Sequence, residues 1–320
     1  MPPFRVTLAL LYLFGLAIFA YIEIHRPAGD GGRRPQVVVP IEPPPTPAPE
    51  HKPSAPDTAE SEKKPQKAER DAKDALPKPD LFDPTVSLEM EPCPKACTGT
   101  AFSLDRRGLW MTARHVVEGC QLVGIITGPK ERLRVIRIEA QNNSDLALLW
   151  TMRGEPELAI TEDGLRRNQN GYSFGFPQGG PGALHGRLIG HARIKVRGAA
   201  RFTAPALVWA EIRRQPFGLA KLGGISGGPM LDEKGAVVGA MTASAPRRGR
   251  VISTDTESLV AALRRAGEKP DTRQASPRGP EALGPESFAK YGDTLRHRKT
   301  VGQVFCIGGT RSSRRPKPTS

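Results

Sequence analysis

Prolines are distributed unevenly along this chain, and their distribution limits which part of it can fold. The sequence has 32 prolines and 34 glycines, and the prolines crowd the stretch before residue 95 and recur after residue 269. Proline lacks a backbone donor and interrupts helices and central strands, so these stretches are poorly suited to a core. The middle of the chain instead carries apolar, strand-like runs. We therefore expect one folded domain over residues 91–266, with flanking segments that bury no core of their own.

The N-terminus has the pattern of a membrane segment. The run from Val6 to Ile22 carries no charged side chain, and it reaches the low end of the roughly 17–25 residues that span a bilayer as a helix. Arg5 precedes the run, which favours a cytoplasmic N-terminus. Cleavage after Ala20 would place Ile18 where signal peptidase prefers a small residue. We expect residues 1–26 to be an uncleaved, single-pass anchor in the inner (cytoplasmic) membrane, with the following domain in the periplasm; the alternative is a secreted protein with a cleaved signal peptide.

Two further segments flank the domain, and both are predicted to be disordered. Residues 27–90 form a Pro-rich linker whose proline run favours polyproline II. Residues 267–320 form a basic tail, for which binding to anionic lipid or to a cell-wall polymer is an alternative. The net charge of +14 is spread over the chain without a basic stripe that interleaves with aromatic residues. We therefore expect no nucleic-acid partner.

Short strand patterns recur through the middle of the chain, separated by glycine-rich turns. A helix is predicted only at residues 257–266, before Gly267. Closely spaced strands with little helical periodicity indicate an all-β barrel or sandwich. The predicted strands cover residues 98–104, 109–113, 121–127, 132–138, 146–152, 171–176, 186–194, 206–212 and 236–243.

One serine, Ser226, lies among glycines in the segment Gly223-Gly224-Ile225-Ser226-Gly227-Gly228. Glycines permit a turn with positive φ that exposes a side chain and directs backbone N–H groups at a developing oxyanion. A serine nucleophile also needs a base, and the base needs an orienting acid. His115 closes a strand-like stretch, and Asp145 lies in a polar turn before an apolar strand. These three residues are therefore candidates for a catalytic triad.

The segments around these residues resemble the signatures of trypsin-like serine peptidases. They are Thr112-Ala113-Arg114-His115, Ser144-Asp145-Leu146-Ala147 and Gly224-Ile225-Ser226-Gly227-Gly228-Pro229. Their order is that of the chymotrypsin clan, and their spacing resembles the bacterial HtrA (Deg) branch. The resemblance implies two packed six-stranded β-barrels with the active site between them. It assigns His115 as general base, Asp145 as its orienting residue and Ser226 as nucleophile, with the amides of Gly224 and Ser226 as the oxyanion hole.

The sequence departs from that family pattern at three places. Ile225 stands where trypsins have the aspartate that pairs with a new N-terminus, so activation by that ion pair is excluded. Arg114 occupies a position that is usually alanine or asparagine in the family. Residues 267–320 are too short and polar for a PDZ domain, so we expect none there.

By analogy with the fold, the resemblance also places the substrate-binding residues. Ala220 would lie at the base of the specificity pocket, and Thr242, Ala243 and Ser244 would form a wall. No acidic residue is present at these positions. We expect a preference for small or apolar side chains.

The chain has four cysteines, and disulfides are permitted outside the cytoplasm. The trypsin resemblance implies a disulfide that brackets the histidine, which predicts Cys97–Cys120, with Cys93–Cys120 as the alternative. No histidine pair completes the ligand spacing of a metal site, so we expect neither metal nor cofactor.

These observations predict a membrane-anchored serine endopeptidase that acts on protein or peptide substrates. The alternative is a catalytically silent pseudoprotease that uses the same fold for binding or sensing. The sequence leaves the oligomeric state open.

Overall fold

The structure is a computed structural model, which describes the chain between residues 74 and 308 with short gaps. The predicted membrane segment at residues 1–26 and most of the predicted linker lie outside the described residues. No described helix combines the length and apolar character needed to cross a membrane. The described residues are 74–91, 96–161, 163–198, 200–245, 248–271 and 283–308.

Strands dominate the described residues, and the three helices are short. The strands are β1 (Thr85–Met90), β2 (Ala96–Ser103), β3 (Leu109–Thr112), β4 (Cys120–Gly128), β5 (Glu131–Ala140), β6 (Ala147–Thr151), β7 (Asn170–Gly175), β8 (Gly182–Gly198), β9 (Phe202–Gln215), β10 (Pro229–Leu231), β11 (Val237–Ala245), β12 (Arg250–Thr254) and β13 (Val301–Gly308). The helices are α1 (Arg114–Val117), α2 (Thr256–Arg265) and α3 (Phe288–His297). The prediction of an all-β domain is confirmed.

Six strands close the first barrel in the order β13-β2-β3-β6-β5-β4. A seven-stranded sheet has the order β1-β8-β7-β10-β11-β12-β9, and a further pairing of β8 with β9 joins six of its strands into a ring. We call this ring the second barrel. Strand β1 lies outside it and pairs with β8 in parallel.

A shared apolar core joins the two barrels. Phe102 and Met111 of the first barrel belong to the same buried cluster as Tyr172 and Phe174 of the second. The ring of Phe288, from α3, lies 6.0 Å from the Tyr172 ring. Close packing of this kind holds the barrels rigidly together, so residues from both can form one site.

The predicted disorder of residues 267–320 is wrong for residues 283–308. Strand β13 lies between β2 and β4 and is required to close the first barrel. Val301, Val304 and Cys306 are buried in this position. The domain therefore extends well beyond the predicted boundary at residue 266. No local sequence pattern predicts the place of β13 in the barrel, because its partner strands are about 180 to 200 residues away along the chain.

The C-terminal end of the predicted linker also belongs to the fold. Strand β1 pairs with β8 over Thr85 to Met90, and Leu76 N donates to Leu165 O at 2.7 Å. The predicted disorder of residues 27–90 is therefore wrong for the part from residue 74. The backbone of β1 is thus paired with the second barrel, and the residues near Leu76 are paired with the segment before β7.

The predicted Cys97–Cys120 disulfide is wrong, and so is the alternative Cys93–Cys120. Cys120 is bonded to Cys306, with 5.5 Å between their Cα atoms; Cys97 is also disulfide-bonded. Cys306 lies on β13, beside β4, which begins at Cys120. No local pattern predicts β13, so the sequence alone leaves Cys306 in the predicted tail, away from Cys120.

Candidate active site

The short helix α1 presents His115 to the carboxylate of Asp145. The His115 Nδ1 atom lies 2.9 Å from Asp145 Oδ2 and 3.1 Å from Oδ1. The backbone N–H of His115 also donates to Oδ1, at 3.1 Å. Asp145 is 1% exposed, and an ionised carboxylate only accepts hydrogen bonds. Nδ1 therefore carries a proton, which leaves Nε2 of the neutral ring as an acceptor.

The surroundings of His115 raise the pKa of its imidazole above the ordinary value. Burial of the ring lowers this pKa, but the negative charge of Asp145, its hydrogen bond and the more distant charge of Glu118 together outweigh that effect. The three contributions favour the protonated ring. The ring is therefore a stronger base than a free histidine and becomes neutral at a higher pH.

The glycine-rich loop around Ser226 is seated against the segment that leads to His115. Gly227 has a φ of +83°, and a Cβ atom there would lie 2.6 Å from Ala113 N. Only glycine fits so close to backbone with that φ. Thr100 N donates to Ser226 O at 2.8 Å, and Gly227 N donates to Met241 O at 2.7 Å. The loop thus lies between β2 of the first barrel and β11 of the second.

The N–H groups of Gly224 and Ser226, which flank Ile225, have no hydrogen-bond acceptor among the described residues. Gly223 O accepts from Gln178 N at 2.6 Å, and Ile225 O accepts from Gly228 N at 2.8 Å. In a trans peptide the N–H points opposite to the C=O of the same unit. Both N–H groups are therefore directed away from these contacts and are available to an anion, as the predicted oxyanion hole requires.

The carbonyl of Gly224 is fixed from the first barrel. Thr100 Oγ1 donates to Gly224 O at 2.7 Å and accepts from Phe176 N at 3.1 Å. Gly224 has a φ of +98°, and a Cβ atom there would lie 2.5 Å from Phe176 O. A glycine is therefore needed at this position for the loop to adopt its shape.

Ile225 anchors the same loop in the second barrel. Its side chain is 3% exposed and belongs to the apolar cluster that includes Leu222 and Met230. Ile225 N donates to Leu222 O at 2.9 Å. Thus an apolar side chain holds the turn at the position where trypsins use an ion pair.

The structure does not join all three candidate triad residues by hydrogen bonds. His115 and Asp145 are bonded, whereas the hydroxyl of Ser226 makes no hydrogen bond within the described part of the chain. The contact between a catalytic serine and histidine is often long in a free enzyme and tightens when substrate binds.

The predicted specificity residues lie on two segments beside Ser226. Ala220 is exposed, and its carbonyl accepts from Arg214 Nη1 at 3.1 Å. Thr242, Ala243 and Ser244 follow one another on β11, and Thr242 is buried at 3% exposure. Strand β10 pairs with β11 only as far as Ala240. Beyond Met241, β11 has β12 on one edge and no described strand on the other.

Sequence reasoning missed the residues that hold the catalytic candidates in place. Thr100 and Gln178 fix the loop from positions far away along the chain, and no local motif identifies them. Arg114 was noticed as unusual for the family, but its contacts with Glu118 and Gln141 were not foreseen. Only the folded structure brings these side chains together.

Trypsin-like serine peptidases share three features that are described above. These are a two-barrel β fold, a histidine–aspartate pair and a serine loop with unpaired amides. Comparison with known families agrees: residues 97–239 match the model of the trypsin-like peptidase domain. This match covers less than half of the chain. It supports assignment of the chain as a serine endopeptidase.

Comparison with solved structures finds proteins of low sequence identity to this chain. The active form of the Rv3671c protease from M. tuberculosis is 16% identical, with a TM-score of 0.46 over 63% of this chain and 99% of that one. The MamO protease domain from Magnetospirillum magneticum is 17% identical, with a TM-score of 0.42 over 53% and 96%. The HtrA-type protease AlgW with decapeptide is 18% identical, with a TM-score of 0.42 over 61% and 52%. No curated protein matches the chain.

Proposed function

We propose that this protein cleaves peptide bonds through a triad of Ser226, His115 and Asp145, outside the cytoplasm and anchored to the inner membrane by residues 1–26. The observation that carries the catalytic part is the His115–Asp145 pair, with Nδ1 held 2.9 Å from the carboxylate, beside the Ser226 loop. The location is based on the charge-free N-terminal segment alone.

Acylation would proceed by attack of Ser226 Oγ on the substrate carbonyl carbon. Nε2 of His115 takes the hydroxyl proton, and the negative oxygen of the tetrahedral intermediate accepts from the amides of Gly224 and Ser226. The C–N bond then breaks, and the imidazolium gives its proton to the leaving amine. Asp145 keeps the ring in the required tautomer and stabilises its positive form.

Deacylation repeats these steps with water as the nucleophile. His115 takes a proton from water, the hydroxide attacks the ester carbon, and the proton returns to Ser226 Oγ as the C–O bond breaks. The products are an acid, an amine and the unchanged enzyme. No other reactant is needed.

The substrate is proposed to be an extended segment of protein or peptide. Beyond Met241, one edge of β11 has no strand partner among the described residues, and an extended chain can add to such an edge by backbone hydrogen bonds. Thr242, Ala243 and Ser244 would then line the bound segment, and Ala220 would lie near its specificity side chain. A preference for small or apolar side chains is consistent with the absence of an acidic residue at these four positions.

A fluorophosphonate probe tests the proposed nucleophile in the full-length protein. The wild type should be labelled, and Ser226→Ala should not. The control Ser87→Ala, which changes an exposed serine of β1, should be labelled as the wild type is. The rate should rise with pH through a midpoint above about 6.5, because the base is neutral His115 and its pKa is raised.

An unlabelled, folded wild type would contradict the proposal. Folding is checked by circular dichroism, and labelling is followed between about pH 6 and 9, the range in which His115 titrates. That result would favour the alternative, a pseudoprotease that binds peptides without cleaving them.

A further inference from the structure

Arg114 precedes the catalytic histidine and makes three hydrogen bonds from one guanidinium group. Its Nε and Nη2 atoms donate to the two carboxylate oxygens of Glu118, at 3.2 and 2.9 Å. Its Nη1 atom donates to Gln141 O at 2.7 Å. The side chain is only 15% exposed, so these contacts are made in a partly desolvated place, where charge-assisted hydrogen bonds are stronger than at an open surface.

The helix that carries His115 has little stability of its own. Helix α1 contains four residues, which is too short for intrinsic helix stability in water. The orientation of the imidazole therefore depends on contacts that hold α1 from outside. Arg114 provides one such contact at the first residue of the helix, and its bond to Glu118 spans the whole of α1.

The other end of the Arg114 bridge is the turn that carries Asp145. Gln141 begins this turn, and its N–H closes the turn by donating to Leu146 O at 2.9 Å. Gln141 is 4% exposed, and its side-chain Oε1 accepts from Arg265 Nε at 2.8 Å. Arg114 thus binds a buried and well-fixed carbonyl, which connects the support of His115 directly to that of Asp145.

We propose that Arg114 is a positioning residue of the catalytic pair: it cross-links the helix of His115 to the turn of Asp145 and neutralises Glu118. This inference rests on the proposed function. Arg114 touches neither the substrate nor the reacting atoms, and it acts through the geometry and charge around the imidazole. The preferred arrangement of the pair is therefore set by a residue outside the triad.

Because Arg114 neutralises Glu118, its role can be measured through the pKa of His115. The carboxylates that act on His115 within the described part of the chain are Asp145 and Glu118, and both raise its pKa. Removal of Arg114 would leave Glu118 as an uncompensated negative charge near the imidazole. The protonated ring would be favoured further, so a higher pH would be needed to produce the neutral base.

The test compares pH profiles of fluorophosphonate labelling in full-length variants. Arg114→Ala should lower the high-pH rate by about tenfold to a hundredfold, because a small misplacement of the base is costly. It should also raise the midpoint of the acid limb, the part of the profile where the rate rises with pH, by about half a pH unit. Arg114→Lys should keep the wild-type acid limb, since lysine keeps the positive charge. It should recover only part of the rate, because lysine lacks the planar guanidinium that binds two oxygens at once.

A double variant separates the two effects of Arg114. Arg114→Ala combined with Glu118→Gln should return the acid limb to or below that of the wild type, while the high-pH rate stays low. The matched control is Arg137→Ala, which removes an arginine that pairs with Glu139 at 2.7 Å on the surface. This control should leave both the rate and the acid limb unchanged.

Titration of the His115 ring by NMR tests the inference independently of activity. An upward shift of its pKa in folded Arg114→Ala supports the inference even if the wild type is not labelled, in which case only the proposed function fails. The inference would be overturned if both Arg114→Ala and Arg114→Lys had the acid limb and the His115 titration of the wild type. If Arg114→Ala does not fold, Arg114→Lys alone is decisive. Lysine keeps the positive charge beside Glu118, so a shifted acid limb in Arg114→Lys would also overturn the inference.

Discussion

At the scale of single residues, Ile225 shows how an unexpected side chain can serve the site. The sequence excludes an activating ion pair at this position, and the structure places the side chain in the core of the second barrel at 3% exposure. A buried apolar group needs no partner that must first be created by proteolysis. The loop that carries the unpaired amides of Gly224 and Ser226 is therefore anchored without such an ion pair.

Replacement of this anchor should affect stability and labelling together. Ile225→Ala removes buried methyl groups, and we expect a loss of about 2–4 kcal/mol in the free energy of unfolding. Labelling of Ser226 should also slow, because the turn between Gly224 and Ser226 loses its anchor. Urea titration and fluorophosphonate labelling measure the two effects.

Ile189→Ala is the control for this substitution. Ile189 is an isoleucine of the same barrel that is 39% exposed, so its truncation should cost much less and leave labelling unchanged. Equal effects of the two substitutions would show that Ile225 is not a specific anchor of the loop.

At the scale of secondary-structure elements, the disulfide and β13 stabilise the first barrel together. Cys120 and Cys306 are separated by 186 residues, and the chain-entropy model gives such a loop about 5 kcal/mol of stabilisation. Cys120 lies three residues beyond α1, so the bond also restrains the end of the helix that carries His115. Breaking it should loosen both the barrel and the catalytic pair.

The double variant Cys120→Ser with Cys306→Ser tests this. We expect the free energy of unfolding to fall by a few kcal/mol, up to about 5 kcal/mol, with a lower unfolding midpoint and slower labelling of Ser226. Ile307→Ser, which changes the neighbouring β13 residue that is 47% exposed, is the control and should have a small effect. An unchanged midpoint in the double variant would contradict the expected role of the bond.

The fold could be predicted where strands and their partners lie close together along the chain. The strands that lead to His115 and Asp145 were predicted within a few residues, and the helix predicted at 257–266 is found as Thr256–Arg265. β13 was missed because it pairs with strands that are about 180 residues or more away. The contact of Thr100 with Gly224 was missed for the same reason, since the two residues are 124 positions apart. The partners of Arg114 lie nearer, at Glu118 and Gln141, but no local motif shows that its side chain connects them.

At the scale of the whole molecule, the proposed anchor at residues 1–26 would determine where the peptidase acts. Residues 1–26 lie outside the described residues, so their role remains a prediction from the sequence. Replacing them by a cleavable secretion signal should release the protein from the membrane fraction without changing the labelling rate of Ser226. Cell fractionation and N-terminal sequencing provide the measurement.

The full-length chain is the reference for this experiment. It should sediment with the membranes and retain residues 1–26. A full-length protein that is recovered in the soluble extracytoplasmic fraction, with a new N-terminus near residue 21, would instead support the secreted alternative.

Closure of the first barrel by β13 has a consequence for how the protein matures. A nascent chain emerges from the ribosome N-terminal end first, and both His115 and Asp145 belong to a barrel whose last strand ends at Gly308. The barrel that holds this pair therefore stays open until β13 has been made. Chains interrupted before Val301 lack the strand between β2 and β4, so the order of synthesis delays closure around His115 and Asp145 until long after both residues have been translated.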